Sequence, residues 1–341
     1  MISKISFKND YSEGAHPKIL ELLIQSNLQQ EAGYGEDNLS TNAKKFIKCH
    51  IENTEAEVHF VAGGTQANLL VIGHLLKPYE SVIAADTGHI EVHETGAIEN
   101  TGHKINVIRN DEGKITVKGI ESILKIHTDN HMVKPAMVYL SQSTELGSIY
   151  SKTELTEISN FCRTKNLKLF IDGARLAMAL TSTHNDVSLS DLARLTDVFY
   201  IGATKNGGLL GEAIVFNNPK LADGFSYYLK QKGALMAKGR LLGAQFYALF
   251  EDQLFFELGK HANIMATKLA YALKERGYKF AINPVSNQIF PILPIEKTEE
   301  LLKKYEFYIW EQLEYNQAIV RLVTSWATKE SEIDQFISDL D

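Results

Sequence analysis

Short apolar runs alternate with amphipathic segments over the first two thirds of this chain of 341 residues. Such alternation is typical of a parallel β-sheet whose strands are joined by crossover helices. Seven strands are predicted, at Val58–Ala62, Ser81–Ala85, Ile105–Ile108, Ala136–Leu140, Leu167–Ile171, Val198–Ile201 and Ala213–Phe216. Helices are predicted between them, at Pro17–Asn27, Thr41–Glu52, Thr65–Leu76, Gly119–His127, Thr153–Lys165 and Leu189–Leu195. The pattern therefore predicts an α/β fold with a mostly parallel seven-stranded sheet.

The pattern changes after about Lys232. Two long helices are predicted there, followed by short strands that alternate with helices, which indicates a smaller α+β unit. The predicted elements are helices at Arg240–Leu258 and His261–Arg276, strands near Gln288–Ile292 and Ile319–Val323, and helices at Glu296–Tyr305 and Glu330–Leu340. At about 150 residues per domain, the length also suggests roughly two domains. We expect a large domain over residues 1–232 and a small C-terminal domain over residues 233–341.

Composition excludes several classes of partner. The chain has 35 Lys and Arg against 42 Asp and Glu, a formal net charge of −7, whereas binding nucleic acid requires a dense basic surface. No stretch reaches the roughly 18 apolar residues of a membrane helix, and the first residues contain no apolar leader. The two cysteines, Cys49 and Cys162, form no CxxC motif, which favours a reducing compartment. We expect a cytoplasmic protein that binds neither nucleic acid nor membrane.

A glycine turn follows the first predicted strand, in the sequence A-G-G-T-Q-A-N from Ala62 to Asn68. It joins a strand to a helix, so free backbone N–H groups and a hydroxyl at Gly63, Gly64 and Thr65 can bind a phosphate. Neither the dinucleotide fingerprint nor the nucleoside triphosphate loop is present. The alternative is a tight turn that needs glycine only for its backbone angles.

An acid and a guanidinium, Asp172 and Arg175, follow a predicted buried strand in the sequence L-F-I-D-G-A-R. Ligands of open α/β sheets bind at the carboxyl ends of the strands. The alternative is an aspartate that caps a helix, with a surface arginine three residues later.

Lys205 gives the sharpest signal. It follows an apolar strand and is enclosed by small residues in the sequence G-A-T-K-N-G-G, so a bulky group can approach its amine. A buried amine with a lowered pKa is the nucleophile that forms a Schiff base with an aldehyde. The alternative is a surface lysine in a glycine loop.

His89 follows the Ser81–Ala85 strand and is predicted at the same sheet edge. Its flat ring can stack on a cofactor, although a hydrogen-bonded loop histidine is the alternative. His93 lies four residues later, which is a metal-ligand spacing on a helix. Because neither an H-E-x-x-H motif nor a third ligand follows, we expect no metal site.

Taken together, these features form an ordered set of Gly64, His89, Asp172 and Lys205. Pyridoxal 5'-phosphate (PLP) requires these parts: a lysine for its aldehyde, an acid for its pyridine nitrogen, a helix terminus for its phosphate and a flat partner for its ring. The set therefore predicts PLP as cofactor.

The motifs resemble those of the L-threonine aldolase and β-eliminating lyase family of PLP enzymes. Ala32–Asp37 (A-G-Y-G-E-D) is similar to the family's V-Y-G-E-D segment, and Gly63–Asn68 to its S-G-T-M-A-N phosphate site. His89, Ile90 and Glu94 match its H-I-x-x-x-E block, and Asp172–Arg175 matches its D-G-A-R. The match runs almost from end to end. It implies fold type I, the aspartate aminotransferase-like fold, with helices on both faces of the sheet and a smaller C-terminal α+β domain.

The resemblance also implies a role for each matching residue. Lys205 would hold PLP covalently, with Asp172 at the pyridinium and His89 stacked on the ring. Thr204 and Arg175 would also contact the cofactor. The phosphate would be bound by Gly63, Gly64 and Thr65 and reached by Arg240. The substrate would be bound by Arg175 and Arg321 at its carboxylate, together with Asn9, Tyr34 and Thr144.

Two segments depart from the family pattern. The chain has Q-S-T-E at residues 142–145 where many members have N-T-H-N, so Thr144 stands where a histidine often lies beside the substrate hydroxyl. Near the N-terminus, N-D-Y at residues 9–11 replaces S-D-T. We expect Thr144 to leave room beside the substrate's β-carbon, unless Glu145 or His93 fills that space.

The implied activity is cleavage of a β-hydroxy-α-amino acid, such as threonine, to glycine and an aldehyde. The base for the β-hydroxyl proton is left open among His89, Glu94 and a water molecule. Alternatives are β-elimination, transamination or racemisation on the same cofactor, or a PLP-binding protein without turnover. By analogy with the fold, we also expect a homodimer or homotetramer, with the Ala32–Asp37 loop crossing to a neighbour's site.

Overall fold

The computed structural model describes residues 4–110 and 112–341. A short first strand, β1 (Ile5–Ser6), lies outside the main sheet. The main sheet has seven strands: β2 (Glu57–Val61), β3 (Glu80–Ala85), β4 (Ile105–Ile108), β5 (Lys134–Ser141), β6 (Lys168–Asp172), β7 (Val198–Gly202) and β8 (Glu212–Phe216). All seven predicted strands are therefore confirmed, with ends that differ by a few residues.

The strand order of this sheet is β2-β8-β7-β6-β5-β3-β4. Strands β4, β3, β5, β6 and β7 pair in parallel, whereas β8 is antiparallel to both β7 and β2. The carboxyl ends of β2, β3, β5, β6 and β7 consequently meet at one edge of the sheet, together with the beginning of β8. Ligands of open α/β sheets bind at this edge.

Thirteen α-helices are found in the described part of the chain. They are α1 (Pro17–Ser26), α2 (Asn38–His50), α3 (Gly64–Leu75), α4 (His89–Val92), α5 (Val117–Ile126), α6 (Lys152–Lys165), α7 (Leu176–Leu180), α8 (Leu189–Leu195), α9 (Phe225–Gln231), α10 (Arg240–Glu251), α11 (Leu254–Glu275), α12 (Ile295–Lys304) and α13 (Glu330–Ser338). The predicted capping box of α6 is present, because the Ser151 hydroxyl accepts from the Glu154 N–H and the Glu154 carboxylate accepts from the Ser151 N–H.

Helices cover both faces of the large sheet. On one face, apolar residues of α1, α2, α6 and α10 pack in a single core, which includes Ile47 and Phe246. On the other face, α3 and α9 form a second core around residues such as Leu70 and Phe225. The strands between the two cores are buried on both sides, so their sequences are almost continuously apolar. The predicted helices on both faces are confirmed.

The C-terminal part forms a smaller α+β unit. A second, antiparallel sheet contains β9 (Lys279–Phe280), β10 (Gln288–Ile289), β11 (Pro291–Pro294), β13 (Tyr308–Leu313) and β14 (Gln317–Val323), while β12 (Tyr305–Glu306) pairs with β1. A third core packs beneath it from Met265 onward, and Phe7 joins this core from the N-terminus. Ala262 still belongs to the core of the large sheet, so the cores divide within α11. The expected domain division at residues 232/233 stays a prediction.

The break between the two long helices was predicted wrongly. It occurs at Asp252 and Gln253 rather than after Leu258, and Gln253 adopts a left-handed conformation with φ of 62°. Gly259 instead lies inside α11, where an added Cβ would approach the Ala177 carbonyl carbon to 2.6 Å. The glycine therefore permits α11 to pack closely on α7, and this tertiary contact could not be recognised from the sequence.

Neither cysteine forms a disulfide, and Cys49 is exposed whereas Cys162 is buried. Across residues 4–110 and 112–341, the helices are too short or too polar to cross a membrane. The longest of them, α11, carries charged residues along its length.

Candidate active site

A cavity of about 700 Å³ opens at the edge of the large sheet where the strand ends meet. It is bounded by loops of the large sheet and by strands β13 and β14 of the small one. Its lining residues are Tyr11, Ala62, Gly63, Gly64, Thr65, His89, His93, Glu145, Asp172, Ala174, Arg175, Tyr200, Thr204, Lys205, Glu212, Tyr308, Ile309, Trp310 and Arg321. The structure thus brings together every member of the predicted set from Gly64 to Lys205.

The glycine turn begins α3 at the cavity wall. Gly63 precedes the helix without a side-chain cap, and the Ala67 N–H makes the first helical hydrogen bond, to the Gly63 carbonyl. The earlier N–H groups of the first turn therefore have no helical acceptor. A Cβ on Gly64 would lie 3.0 Å from the Tyr200 hydroxyl, so this side of the turn has no room for a side chain. The arrangement suits an anion.

Asp172 ends strand β6 and is buried. Its carboxylate accepts hydrogen bonds from the Tyr139 hydroxyl, from the Ala174 N–H at 2.9 Å and from the Asn68 amide at 3.3 Å. Burial alone would raise its pKa, but the charge of His89 and the hydrogen bonds from Tyr139, Tyr200 and the Ala174 N–H lower it below the ordinary value. The cavity therefore contains a carboxylate that stays ionised and is held in a fixed direction.

His89 begins α4 and is paired with a buried acid. Its Nδ1 lies 2.9 Å from Oε1 of Glu94, and the same oxygen accepts from the Asn68 amide at 2.7 Å. Burial opposes protonation, yet the Glu94 carboxylate holds the pKa of His89 above its ordinary value. Asn68 thus connects the His89–Glu94 pair to Asp172 in one hydrogen-bonded network.

His93 also lines the cavity, with its ring centroid 5.6 Å from that of His89. Burial and the charge of His89 lower its pKa below the ordinary value. The two neighbouring histidines are therefore shifted in opposite directions, with the proton favoured on His89 and the neutral ring on His93.

Lys205 follows β7, and its amine lines the cavity 5.9 Å from the centroid of the Tyr11 ring. Burial and the nearby charge of Arg175 lower its pKa, against the opposing effect of surrounding acids. The preceding residue, Thr204, donates its hydroxyl to Glu212 at 2.9 Å and accepts from the Gly211 N–H at 3.0 Å. A lysine held in this way is a suitable nucleophile.

Arg175 lines the cavity, but two of its donors are already occupied. Its Nε and Nη2 bind both carboxylate oxygens of Asp10, at 2.7 and 3.0 Å, and Asp10 also accepts from the Asn287 amide at 2.9 Å. Asp10 and Arg175 are both buried. The guanidinium is therefore fixed by a bidentate ion pair, and only its remaining N–H groups are left for a ligand.

Arg321 reaches the cavity from β14 of the small sheet. Its Nε and Nη2 both donate to Oε1 of Gln288, at 3.2 and 2.5 Å. Its guanidinium carbon lies 5.7 Å from the ring centroid of Trp310. Burial and the charge of Arg175 lower its pKa to about 10, which leaves it positive at neutral pH.

Thr144, which is expected to contact the substrate, forms hydrogen bonds within its own turn. Thr144 is buried, its Oγ1 lies 2.7 Å from the Ser148 hydroxyl and accepts from the Ser148 N–H at 3.2 Å, and it does not line the cavity. Glu145 and His93 do line it. Thr144 therefore stabilises the turn in which it lies. Glu145 and His93 bound the part of the cavity near this turn.

Three further predicted site residues lie outside the lining of the cavity. Asn9 uses its Oδ1 to accept from the Tyr11 N–H and the Ser12 hydroxyl, which shapes the turn that carries Tyr11; its expected substrate contact stays a prediction. Arg240 donates to the carbonyl oxygens of residues 27 and 29, and Tyr34 is half exposed beneath the amine of Lys230. Neither Tyr34 nor Arg240 lines the cavity of its own chain.

Several residues of the site were not singled out from the sequence as site residues. They are Asp10, Tyr11, Asn68, Tyr139, Tyr200, Glu212, Gln288, Tyr308 and Trp310. A tyrosine inside an otherwise apolar strand is a usable signal, because a buried hydroxyl needs a hydrogen-bond partner. Gln288 and Trp310 carried no such signal, since they belong to short strands of the small sheet.

Comparison with known proteins agrees with this geometry. The family described as β-eliminating lyase matches residues 12–293. The chain belongs to this family. A low-specificity L-threonine aldolase from Pseudomonas sp. (strain NCIMB 10558) is 32% identical over 338 residues, which cover 98% of this chain and 96% of the relative. The resemblance inferred from the motifs is confirmed.

Solved structures confirm the fold of this β-eliminating lyase family member. A threonine aldolase from Leishmania major superimposes with a TM-score of 0.97 at 49% identity, over 98% of each chain. A variant of aspartate aminotransferase from Thermus thermophilus superimposes with a TM-score of 0.72 at 13% identity, over 98% of this chain and 90% of the other. The second likeness bears on the fold alone, and the expected aspartate aminotransferase-like architecture is present.

Proposed function

We propose that this chain is a PLP-dependent aldolase that cleaves a threonine-like β-hydroxy-α-amino acid to glycine and an aldehyde. The observation that carries the proposal is the convergence of Lys205, Asp172 and His89 with two arginines in one cavity. The reaction is suggested by the threonine aldolases to which the chain is similar over nearly its whole length.

The residues present fit PLP. The uncapped first turn of α3 offers N–H groups to a phosphate, and the tight approach of Gly64 to Tyr200 leaves a side-chain-free surface there. Lys205 would hold the aldehyde carbon, and the fixed carboxylate of Asp172 would pair with the pyridine nitrogen. When bound, PLP supplies the electron sink that receives the pair released as the Cα–Cβ bond breaks.

Asp172 would keep a proton on the pyridine nitrogen of bound PLP, because its carboxylate stays ionised at neutral pH and points in one direction. Tyr139 and Asn68 hold that direction through their hydrogen bonds. Glu94 does the same for His89, so that its ring can lie flat against the cofactor. These residues therefore orient the cofactor.

Arg321 and Arg175 bind the substrate carboxylate in this proposal. Arg321 is supported by Gln288 and faces the Trp310 ring, while Arg175 is held in place by Asp10. Two positive groups on opposite sheets bring the amino acid to the junction of the large and small units. A planar guanidinium suits this task because it can bind both carboxylate oxygens.

We assign the removal of the β-hydroxyl proton to His93. His89 is a poor base, because its pairing with Glu94 favours the protonated ring, whereas the lowered pKa of His93 leaves that ring neutral. A neutral imidazole in the cavity can accept the hydroxyl proton as the carbon–carbon bond breaks.

A homodimer or homotetramer is part of the proposal. Apolar side chains at Leu20, Ile24 and Leu28 form an exposed stripe along and beyond α1, with Leu28 92% exposed, and such stripes mark interaction sites. Tyr34 and Arg240 would then face a neighbour's cavity. The unpaired thiols of Cys49 and Cys162 support a reducing, cytoplasmic location.

The test uses purified protein with and without added PLP. Glycine release is measured from L-threonine, L-allo-threonine and L-phenylserine, beside pyruvate and ammonia release from serine and cysteine. The proposal expects glycine and the matching aldehyde in equal amounts, dependent on PLP. Release of pyruvate and ammonia without glycine would instead assign the chain to β-elimination.

A further inference from the structure

Glu212 occupies a junction in the sheet that no assigned role explains. It begins β8, where it is paired with Val61 at the end of β2 and with Gly202 at the end of β7. Strand β2 leads into the glycine turn at Gly63, and β7 leads into Lys205. Glu212 therefore lies between the two loops that would hold the phosphate and the aldehyde end of PLP.

One carboxyl oxygen of Glu212 is unpaired. The residue is 3% exposed, and its Oε1 accepts from the Thr204 hydroxyl at 2.9 Å. Its Oε2 is buried and has no hydrogen-bond partner within the described residues, although Glu212 lines the cavity. An unsatisfied buried polar atom costs free energy unless a ligand supplies its partner.

The protonation of Glu212 decides what that partner can be. Burial raises its pKa to about 8, against the hydrogen bond from Thr204 and the charge of Lys205, and the charge of Asp172 raises it further. Tyr200, on β7, is the other titratable group that faces it, and its own pKa is raised well above the ordinary value. Near neutral pH the carboxyl group is therefore neutral and carries an O–H donor.

We propose that Glu212, as a neutral carboxylic acid, donates a hydrogen bond to the phosphate group of PLP. The donor would act opposite the N–H groups of the glycine turn, so that the anion is bound from two sides. This inference rests on the proposed function, because it takes PLP as the occupant. The rival role is a direct ion pair with the amine of Lys205.

The experiment compares two probes, PLP and pyridoxal, which differ in the phosphate alone. Dissociation constants of both are measured by absorbance and fluorescence titration of the apoenzyme between pH 7 and pH 9, for wild type, Glu212→Gln and Glu212→Ala. Glu212 loses its proton, and with it the hydrogen-bond donor, as the pH rises through about 8. The ratio of the pyridoxal constant to the PLP constant should therefore fall roughly tenfold across this range in wild type, the scale of one hydrogen bond to a charged group.

Glu212→Gln keeps a donor that does not titrate, so its ratio should be near the wild-type value at pH 7 and constant up to pH 9. Glu212→Ala should have, at every pH, the low ratio that wild type reaches at pH 9. Glu80→Gln is the matched control, since Glu80 is also buried but hydrogen-bonds the Lys77 N–H away from the cavity; its ratio should follow wild type. Using the ratio cancels the pH dependence of Lys205, which both probes share.

The outcomes distinguish a failure of the proposed function from a failure of the role proposed for Glu212. If wild type fails to bind PLP, the proposed function is wrong. If wild type binds PLP but the ratio does not change with pH or on substitution, Glu212 does not bind the phosphate. Equal changes for PLP and pyridoxal would assign Glu212 to Lys205 instead. Thermal melting of each variant verifies that the fold is intact.

Discussion

The two sides of the cavity differ in how firmly their residues are held. On the side proposed to bind the cofactor, Asp172, Asn68 and Glu94 are almost completely buried and share one hydrogen-bonded network. On the substrate side, Tyr308 and Trp310 are 44% and 39% exposed. The rigid side is built from the ends of buried parallel strands, whereas the open side comes from short strands of the small sheet. Fixed orientation is needed for the cofactor, and access is needed for the substrate.

This difference predicts that substitutions on the cofactor side change the rate, whereas those on the open side change selectivity or pH dependence. The following substitutions test the comparison.

Lys205→Ala should have the largest effect. It removes the amine that would hold PLP covalently, so we expect activity to fall by at least ~10³-fold and the visible absorbance of bound PLP to be lost. The measurement is borohydride reduction followed by peptide mapping. Lys274→Ala, which changes an exposed lysine in the last turn of α11, is the control. A reducible adduct that persists in Lys205→Ala would show that another lysine holds the cofactor.

Asp172→Asn should retain PLP but lose at least ~10² in kcat, or ~2.7 kcal/mol of barrier. The amide is similar in size, but its NH2 group replaces one of the two oxygens that accept hydrogen bonds, and it cannot keep a proton on the pyridine nitrogen. Single-turnover rates and PLP titration distinguish loss of rate from loss of cofactor. A wild-type rate would remove Asp172 from the electron-sink role.

His93→Gln should lower kcat/KM about 10- to 100-fold, on the scale of one general base. The base must be neutral, and the pKa of His93 is lowered, so the wild-type rate should fall only as the pH drops below the ordinary histidine value of 6.5. That acid limb should disappear in the variant. His131→Gln, on an exposed turn, should leave the profile unchanged. An unaltered acid limb in His93→Gln would reassign the proton transfer.

Thr144→Val should have the smallest effect on catalysis. It removes the hydroxyl bonded to Ser148, so we expect a loss of stability of about 1 kcal/mol with no change in the ratio of kcat/KM for threonine and phenylserine. Thermal unfolding and the two kinetic constants measure these separately. A tenfold change in that ratio, ~1.4 kcal/mol of differential transition-state binding, would return Thr144 to the substrate site.

The rigid side of the cavity could be predicted from the sequence because its main residues follow strand ends. Parallel strands bring their carboxyl ends to one edge, so a glycine turn, His89, Asp172 and Lys205 had to converge once the strands were recognised. The strands themselves were recognisable because burial on both faces requires nearly continuous apolar sequence. Local residue chemistry and hydrophobic periodicity were therefore sufficient to predict this side of the cavity.

The tertiary structure decided the rest, through contacts between residues far apart in sequence. Asp10 binds Arg175 across 165 positions, and the beginning of β8 places Glu212 between two loops that the sequence separates by about 140 residues. Thr144 points into its own turn, whereas the next residue, Glu145, points toward the cavity. The sequence pattern determined the strands and the reactive residues that follow them. Long-range pairing and side-chain direction determined which hydrogen-bond donors remain free in the cavity, because both depend on packing in three dimensions.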